Sequence, residues 1–273
     1  MPELPEVETV RRTLAKRIIG EVIADVDVRF PGCIEGNDVE FFREKVRGRK
    51  IVDVLRRAKY LLIQLDDGAA IVVHLRMTGR LTAVQGAADR NGSHLRVDFA
   101  FTSGLHMQFH DQRKFGRIGW YESEVEVGAR IKVGPDPTEE DFHAADLARI
   151  VSGRKRPIKS LLLDQSLIGG LGNIYADESL FRARIAPDRP ADSLSDGEVE
   201  ALHGAVRDVL YEGLRHKGTS LRDYVDGDGR KGTFQERLKV YAREGKPCVE
   251  CESPIVRVKL AGRSAYFCPR CQQ

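Results

Sequence analysis

The 273-residue chain predicts a multidomain α+β protein: an N-terminal antiparallel β-sandwich with a leading helix, then a helical segment, then a small cysteine-bearing hairpin. Three observations carry this reading. Residues 22–121 are short runs with period-two alternation, punctuated by turn dipeptides. Beyond residue 139 apolar positions recur at helical spacing. Near the end four cysteines fall in two Cys-x-x-Cys pairs. Almost no helix-length pattern separates the strands, which argues against a parallel α/β sheet.

The leading helix runs over 5–18, with Val7, Val10, Leu14 and Ile18 as its apolar stripe and Gly20 as its stop. Pro5 suits the first turn, where a missing N–H costs nothing, and Glu6 and Glu8 suit the positive end of the helix dipole. Strands follow at 22–28, where Val22, Ala24, Val26 and Val28 form one face, and at 51–55, 60–65, 71–75, 81–84, 95–101, 105–109 and 117–121. Asp67-Gly68, Asn91-Gly92 and Ser103-Gly104 mark turns between them. Val133-Gly134-Pro135-Asp136-Pro137 has no period and marks the domain boundary. Helices are expected from Thr138 to Val151, over 158–165, over 173–181 and from a Ser195 cap to Arg215. Residues 217–235, rich in Gly, Asp and Lys, read as a loop. The resulting division is 1–133, a 134–138 linker, 139–235 and 236–273.

No stretch approaches the ~20 apolar residues of a membrane span, and charges interrupt any secretory h-region at the N-terminus. The expectation is a cytoplasmic, monomeric protein. A net charge of +3 is too mild to imply nucleic acid by itself. Its distribution says more: residues 237–273 hold eight Arg and Lys against three Glu, and Arg154-Lys155-Arg156 with Lys159 forms a second basic cluster.

Cys248, Cys251, Cys268 and Cys271 form two knuckles sixteen residues apart, a spacing that closes a tetrahedral Zn²⁺ site. Residues 255–260 and 264–267 read as its two strands, joined by Ala261-Gly262-Arg263. The alternative, a disulfide framework, is at odds with a cytoplasmic chain. So small a segment should draw most of its folding free energy from the metal. Cys33 has no partner and reads as a buried or incidental thiol.

Other residues carry chemistry only in combination. Once Met1 is removed, Pro2 presents a secondary amine with a pKa near ~7.7–8.0, unprotonated often enough to attack an electrophilic carbon. Glu3 stands beside it to move protons. On that dipeptide alone an ordinary chain start explains as much. Lys59 reads by default as a strand-edge lysine and Met77 as core. Arg113 and Phe115, two apart on a turn, present a base-reading guanidinium and an aromatic wedge, or a surface hairpin with one packed ring. Gly169-Gly170-Leu171-Gly172-Asn173 opens a helix, and such an N-terminus attracts anions.

Taken together, Pro2-Glu3-Leu4-Pro5-Glu6-Val7-Glu8, Lys59, His74-Leu75-Arg76-Met77, Arg113-Lys114-Phe115-Gly116, Leu171-Gly172-Asn173-Ile174-Tyr175 and the four cysteines resemble the bacterial formamidopyrimidine-DNA glycosylase (Fpg/MutM) family along the whole chain. The resemblance implies a β-sandwich, a helix–two-turns–helix domain and a zinc finger, with double-stranded DNA across the cleft between domains. It implies a DNA repair glycosylase and abasic-site lyase. Oxidised purines are flipped from the duplex and excised through a Schiff base to Pro2, with Glu3 as proton donor, followed by β,δ-elimination. Lys59 and Arg263 would assist proton transfer or grip phosphates. His74, His94, Lys155, Asn173 and Tyr241 would contact the backbone. Met77, Arg113 and Phe115 would fill the vacated stack, and Thr219, Arg222 and Tyr224 would belong to a lid over the flipped base. Thr78 departs from the family, many of whose members carry glutamate there. An endonuclease VIII-like enzyme for oxidised pyrimidines and a non-catalytic zinc protein for damaged DNA are the rival readings. A proline tautomerase leaves the zinc motif unexplained.

Overall fold

In the computed structural model, residues 1–36, 38–86, 93–221 and 223–273 are described; the Asn91-Gly92 turn and Arg222 lie outside them. The described chain divides into two compact units, Met1–Lys132 with His216–Thr233, and Val133–Arg215 with Phe234–Gln273. The loop read from sequence as part of the helical segment therefore groups with the first unit.

The first unit opens with α1 (Leu4–Ile18), capped by a Glu3/Glu6 capping box and carrying Pro5 in its first turn. Leu4, Val7, Val10, Leu14 and Ile18 are fully buried, each worth ~1.5–3 kcal/mol of apolar transfer. An aspartate at Val10 would place a charge in that stripe and break the packing. Eight strands follow: β1 (Ile23–Val28), β2 (Ile51–Arg57), β3 (Tyr60–Leu65), β4 (Ala70–His74), β5 (Gly79–Gln85), β6 (Leu95–Phe101), β7 (Leu105–Asp111) and β8 (Arg117–Tyr121). They pair antiparallel as β1-β6-β7-β5 and β2-β3-β4-β8. Both sheets contribute to one core, including Val26, Phe99 and Phe109 from the first and Val54, Ile63 and Val73 from the second. In β1 the buried face begins at Ile23, not Val22, because a register shift between Ile23 and Asp25 changes the phase.

Two short helices in this unit lack a sequence expectation. The first, α2 (Val39–Val46), starts at Asp38, whose carboxylate accepts the Phe41 N–H. The second, α3 (Glu124–Arg130), starts at Ser123, which accepts from Glu126. Cys33 is buried in the core and donates its thiol to the Phe30 carbonyl.

The second unit contains α4 (Ala144–Val151), α5 (Ile158–Leu162), α6 (Asn173–Arg182) and α7 (Asp196–Arg215), then the hairpin β9 (Val256–Leu260) and β10 (Arg263–Phe267). The helix expected to open at Thr138 begins at Ala144 instead. Thr138 bonds back to the Asp136 carboxylate through its amide and hydroxyl, and the capping box is His143 with Asp146. The start of α7 follows expectation, with Ser195 and Glu198 bonding reciprocally. Arg263 pairs with Leu260, so the hairpin loop is Ala261-Gly262 alone, and both residues lie at positive φ. Among the described residues no helix is long and apolar enough to cross a membrane.

Candidate active site and zinc centre

In the first unit the N-terminus is held, not frayed. Pro2 is buried, and Glu3 is 3% exposed at the cap of α1. The Glu6 carboxylate accepts the Glu3 N–H at 2.8 Å and the Thr219 N–H at 2.6 Å. One side chain thus joins the residue after Pro2 to the 216–233 loop. Gly218 makes this possible, since a Cβ there would stand 2.7 Å from Glu6 Oε1. Tyr224 donates to the carbonyls of Glu6 and Lys217 and is buried in the sandwich core. It anchors the loop. Glu6 escaped the sequence reading as a site residue, although its glutamate-x-x-glutamate spacing was the available signal.

Lys59 is 4% exposed, so the strand-edge default does not hold. It sits in the two-residue turn that joins Arg57 to Tyr60, with Ala58 at positive φ. Burial, helped by the positive charges of Arg76 and Lys59, holds the His74 imidazole down at about 3. It is therefore neutral at physiological pH. His74 Nδ1 accepts the Arg76 N–H at 2.9 Å, which leaves the proton on Nε2 as a donor. A hydrogen bond to phosphate remains open to it, whereas a salt bridge does not.

Met77 and Phe115 are 43% and 46% exposed. Neither is core. The Arg113 guanidinium lies 4.7 Å from the centroid of the Phe115 ring, a cation–π contact between the two. His94, half-buried, accepts the Asp111 N–H through its carbonyl.

In the second unit Lys155 is exposed as expected, but Lys159 is not part of a surface cluster. It is 1% exposed, 2.6 Å from Asp177, and donates to the Ser264 carbonyl at 2.5 Å. Asn173 Nδ2 donates to the same carbonyl at 3.0 Å, and Asp177 accepts the Tyr266 N–H. These bonds fix β10 directly beside exposed Arg263. Glu178, buried on the next position of α6, accepts the N–H groups of Lys239, Val240 and Tyr241. Burial pushes its carboxyl up, against those three donors. Asn173, Arg263 and Tyr241 are thus positioned by charges inside the helical unit.

Cys248, Cys251, Cys268 and Cys271 place their sulfurs within 4.8 Å of one another, and all four thiols are free. Zn–S bonds of ~2.3 Å in a tetrahedron separate sulfurs by a little under ~4 Å, so the donor set fits one structural zinc ion. Ile255, Val240 and Phe181 pack against the knuckles.

The chain is similar to known proteins along its length. Residues 1–118 match the formamidopyrimidine-DNA glycosylase N-terminal domain, 133–225 the H2TH domain of the same enzymes, and 245–273 the zinc finger found in FPG and IleRS. A formamidopyrimidine-DNA glycosylase of Desulfitobacterium hafniense is 47% identical over 274 residues, with all of both chains covered. A mutant of the Lactococcus lactis FPG, solved with Fapy-dG-containing DNA, superposes with a TM-score of 0.93 at 35% identity and complete coverage of both chains. A MutM protein solved with carbocyclic 8-oxo-G-containing DNA gives 0.92 at 35% identity, again with both chains covered. Three matching segments in order, and relatives aligned from end to end, leave one conclusion: the chain belongs to the formamidopyrimidine-DNA glycosylase family.

Proposed function

We infer that this chain is a DNA glycosylase for oxidised purines, 8-oxoguanine and formamidopyrimidines, with abasic-site lyase activity, and we propose Pro2 as its nucleophile. The observation that carries the nucleophile is the buried Pro2-Glu3 start, tied through Glu6 to the loop holding Thr219. A nucleophile must be held in a near-attack geometry, and a helix cap holds it better than a free tail.

With Met1 removed, the Pro2 nitrogen attacks C1′ of a nucleotide flipped from the stack, and the glycosidic bond breaks as the base leaves with a proton. Glu3 protonates the sugar ring oxygen as the ring opens, giving a Schiff base between Pro2 and C1′. Loss of a C2′ proton then expels the 3′ phosphate, and a second elimination expels the 5′ phosphate. While Met1 remains, the Pro2 nitrogen is an amide and cannot take these steps. Lys59 lies in a buried turn suited to proton transfer, and neutral His74 donates to a phosphate. Lys155, Asn173, Tyr241 and Arg263 hold the backbone, and Met77, Arg113 and Phe115 fill the vacated stack. His94 adds a contact, and the loop with Thr219 and Tyr224 covers the lesion. The four thiolates hold a zinc ion that gives the hairpin its fold. This reading places the protein in the cytoplasm, acting on duplex DNA as a monomer.

Excision assays on 8-oxoguanine opposite cytosine and on thymine glycol test the substrate class. Faster release of 8-oxoguanine is expected, and faster cleavage at thymine glycol would move the chain to the pyrimidine branch.

A further inference from the structure

Two turns of the first unit carry the three side chains assigned to the DNA stack, and one hydrogen-bonded pair joins those turns. Met77 lies between β4 and β5, and Arg113 and Phe115 lie between β7 and β8. Thr78 Oγ1 donates to Asp111 Oδ1 at 2.5 Å. The Arg113 N–H is shared by that hydroxyl and that carboxylate oxygen at 3.2 Å each, and Asp111 Oδ2 accepts the Gly116 N–H at 2.7 Å. Asp111 therefore closes its own turn from both ends and, through Thr78, fastens it to the other. The residue is 1% exposed, and charge-assisted bonds shielded from water are strong.

Both turns need such a fastening. Arg76 and Lys114 stand at φ 53° and 60°, a region that side-chain-bearing residues occupy only at a cost. Glycines admit the close approach: a Cβ at Gly79 would lie 2.3 Å from the Leu75 carbonyl oxygen, and one at Gly116 would lie 2.3 Å from the Phe109 ring. A glutamate at position 78 would set a second carboxylate against Asp111. Threonine supplies a neutral donor there, which the Asp111 carboxylate accepts.

We propose that Thr78 and Asp111 are positioning residues that latch the two turns together and preset Met77, Arg113 and Phe115 as one rigid wedge. The inference rests on the assignment of those three side chains to the DNA stack. The test follows wedge insertion by stopped-flow fluorescence, using an 8-oxoguanine duplex with 2-aminopurine stacked beside the opposing cytosine. Thr78→Val, which keeps the shape and loses the donor, should slow insertion about tenfold, the scale of one lost bond to a charged group. Thr78→Ser should restore the wild-type rate. Asp111→Ala should slow insertion as well, and the double variant should be no slower than the slower single variant, because without the carboxylate Thr78 has nothing to latch onto. Thr78→Val inserting at the wild-type rate, Thr78→Ser as slow as Thr78→Val, or additive slowing in the double variant would each overturn the latch. Wild-type protein that gives no fluorescence change overturns the wedge assignment, and the latch with it.

Discussion

The sandwich unit and the helical unit hold the residues proposed to meet DNA by opposite means. In the first, the side chains stand on tight turns over an apolar core, and the carboxylates of Glu6 and Asp111 tie loops and turns to neighbouring segments. In the second, Asn173, Arg263 and Tyr241 are held by buried charges of α5 and α6 and by a hairpin closed on four cysteines. A rigid sheet lets small turns carry precise chemistry. A short hairpin has too little apolar area for that and borrows its stability from thiolates and from ionic groups inside the helices.

Metal removal breaks this comparison most sharply. Chelation, or Cys268→Ser, should unfold the hairpin and cost at least about 100-fold in DNA affinity, given the ~10–16 kcal/mol that structural zinc sites contribute. Melting of the sandwich should change little. Circular dichroism with a DNA titration checks both, and a sandwich that melts with the hairpin would erase the distinction.

Next in size is the buried pair. Lys159→Met leaves Asp177 without its partner and should cost about 3–5 kcal/mol, read from denaturant unfolding. The combined Lys159→Met and Asp177→Leu protein should recover most of that stability. Its DNA affinity should stay low, since Ser264 and Tyr266 lose the groups that hold them beside Arg263. Recovered affinity would show that the pair serves stability alone.

A smaller effect is expected at Glu6→Gln, which weakens a charge-assisted bond to Thr219 by about 1.5–3 kcal/mol. Hydrogen exchange of the Thr219 amide should rise by about tenfold or more. Unchanged protection would mean that the loop is held by Tyr224 instead.

The last concerns pH. His74 titrates at about 3 when folded, because of burial and the charges of Arg76 and Lys59, against an ordinary value of 6.5 for the ring. The unfolded state then binds more protons between those values, so the contribution of His74 is complete above 6.5 and is lost as pH falls towards 3. His74→Gln should flatten that part of the stability curve, and NMR should find His74 neutral at about pH 5.

Local signals made much of this architecture legible. The α1 stripe, the Ser195 cap, the alternating strands and the cysteine spacing all act within a few residues, and each element stands where its signal lies. The Asp38 and Ser123 caps were equally local, yet their helices are too short for a period to stand out. At Thr138 the cap residue was used by an Asp136 turn, a competition that sequence spacing does not decide. The burial of Lys59 and Lys159 and the grouping of His216–Thr233 with the sandwich depend on residues far away in the chain. So does Glu6, whose second partner is 213 residues distant.

We propose the amine of Pro2 as the nucleophile. Borohydride reduction during reaction with 8-oxoguanine DNA, followed by digestion and mass spectrometry of the trapped adduct, tests it directly. The expected result is DNA attached to the N-terminal peptide beginning at Pro2, and no adduct from protein that retains Met1. Attachment to Lys59 or Lys217, or an adduct formed with Met1 in place, would contradict it.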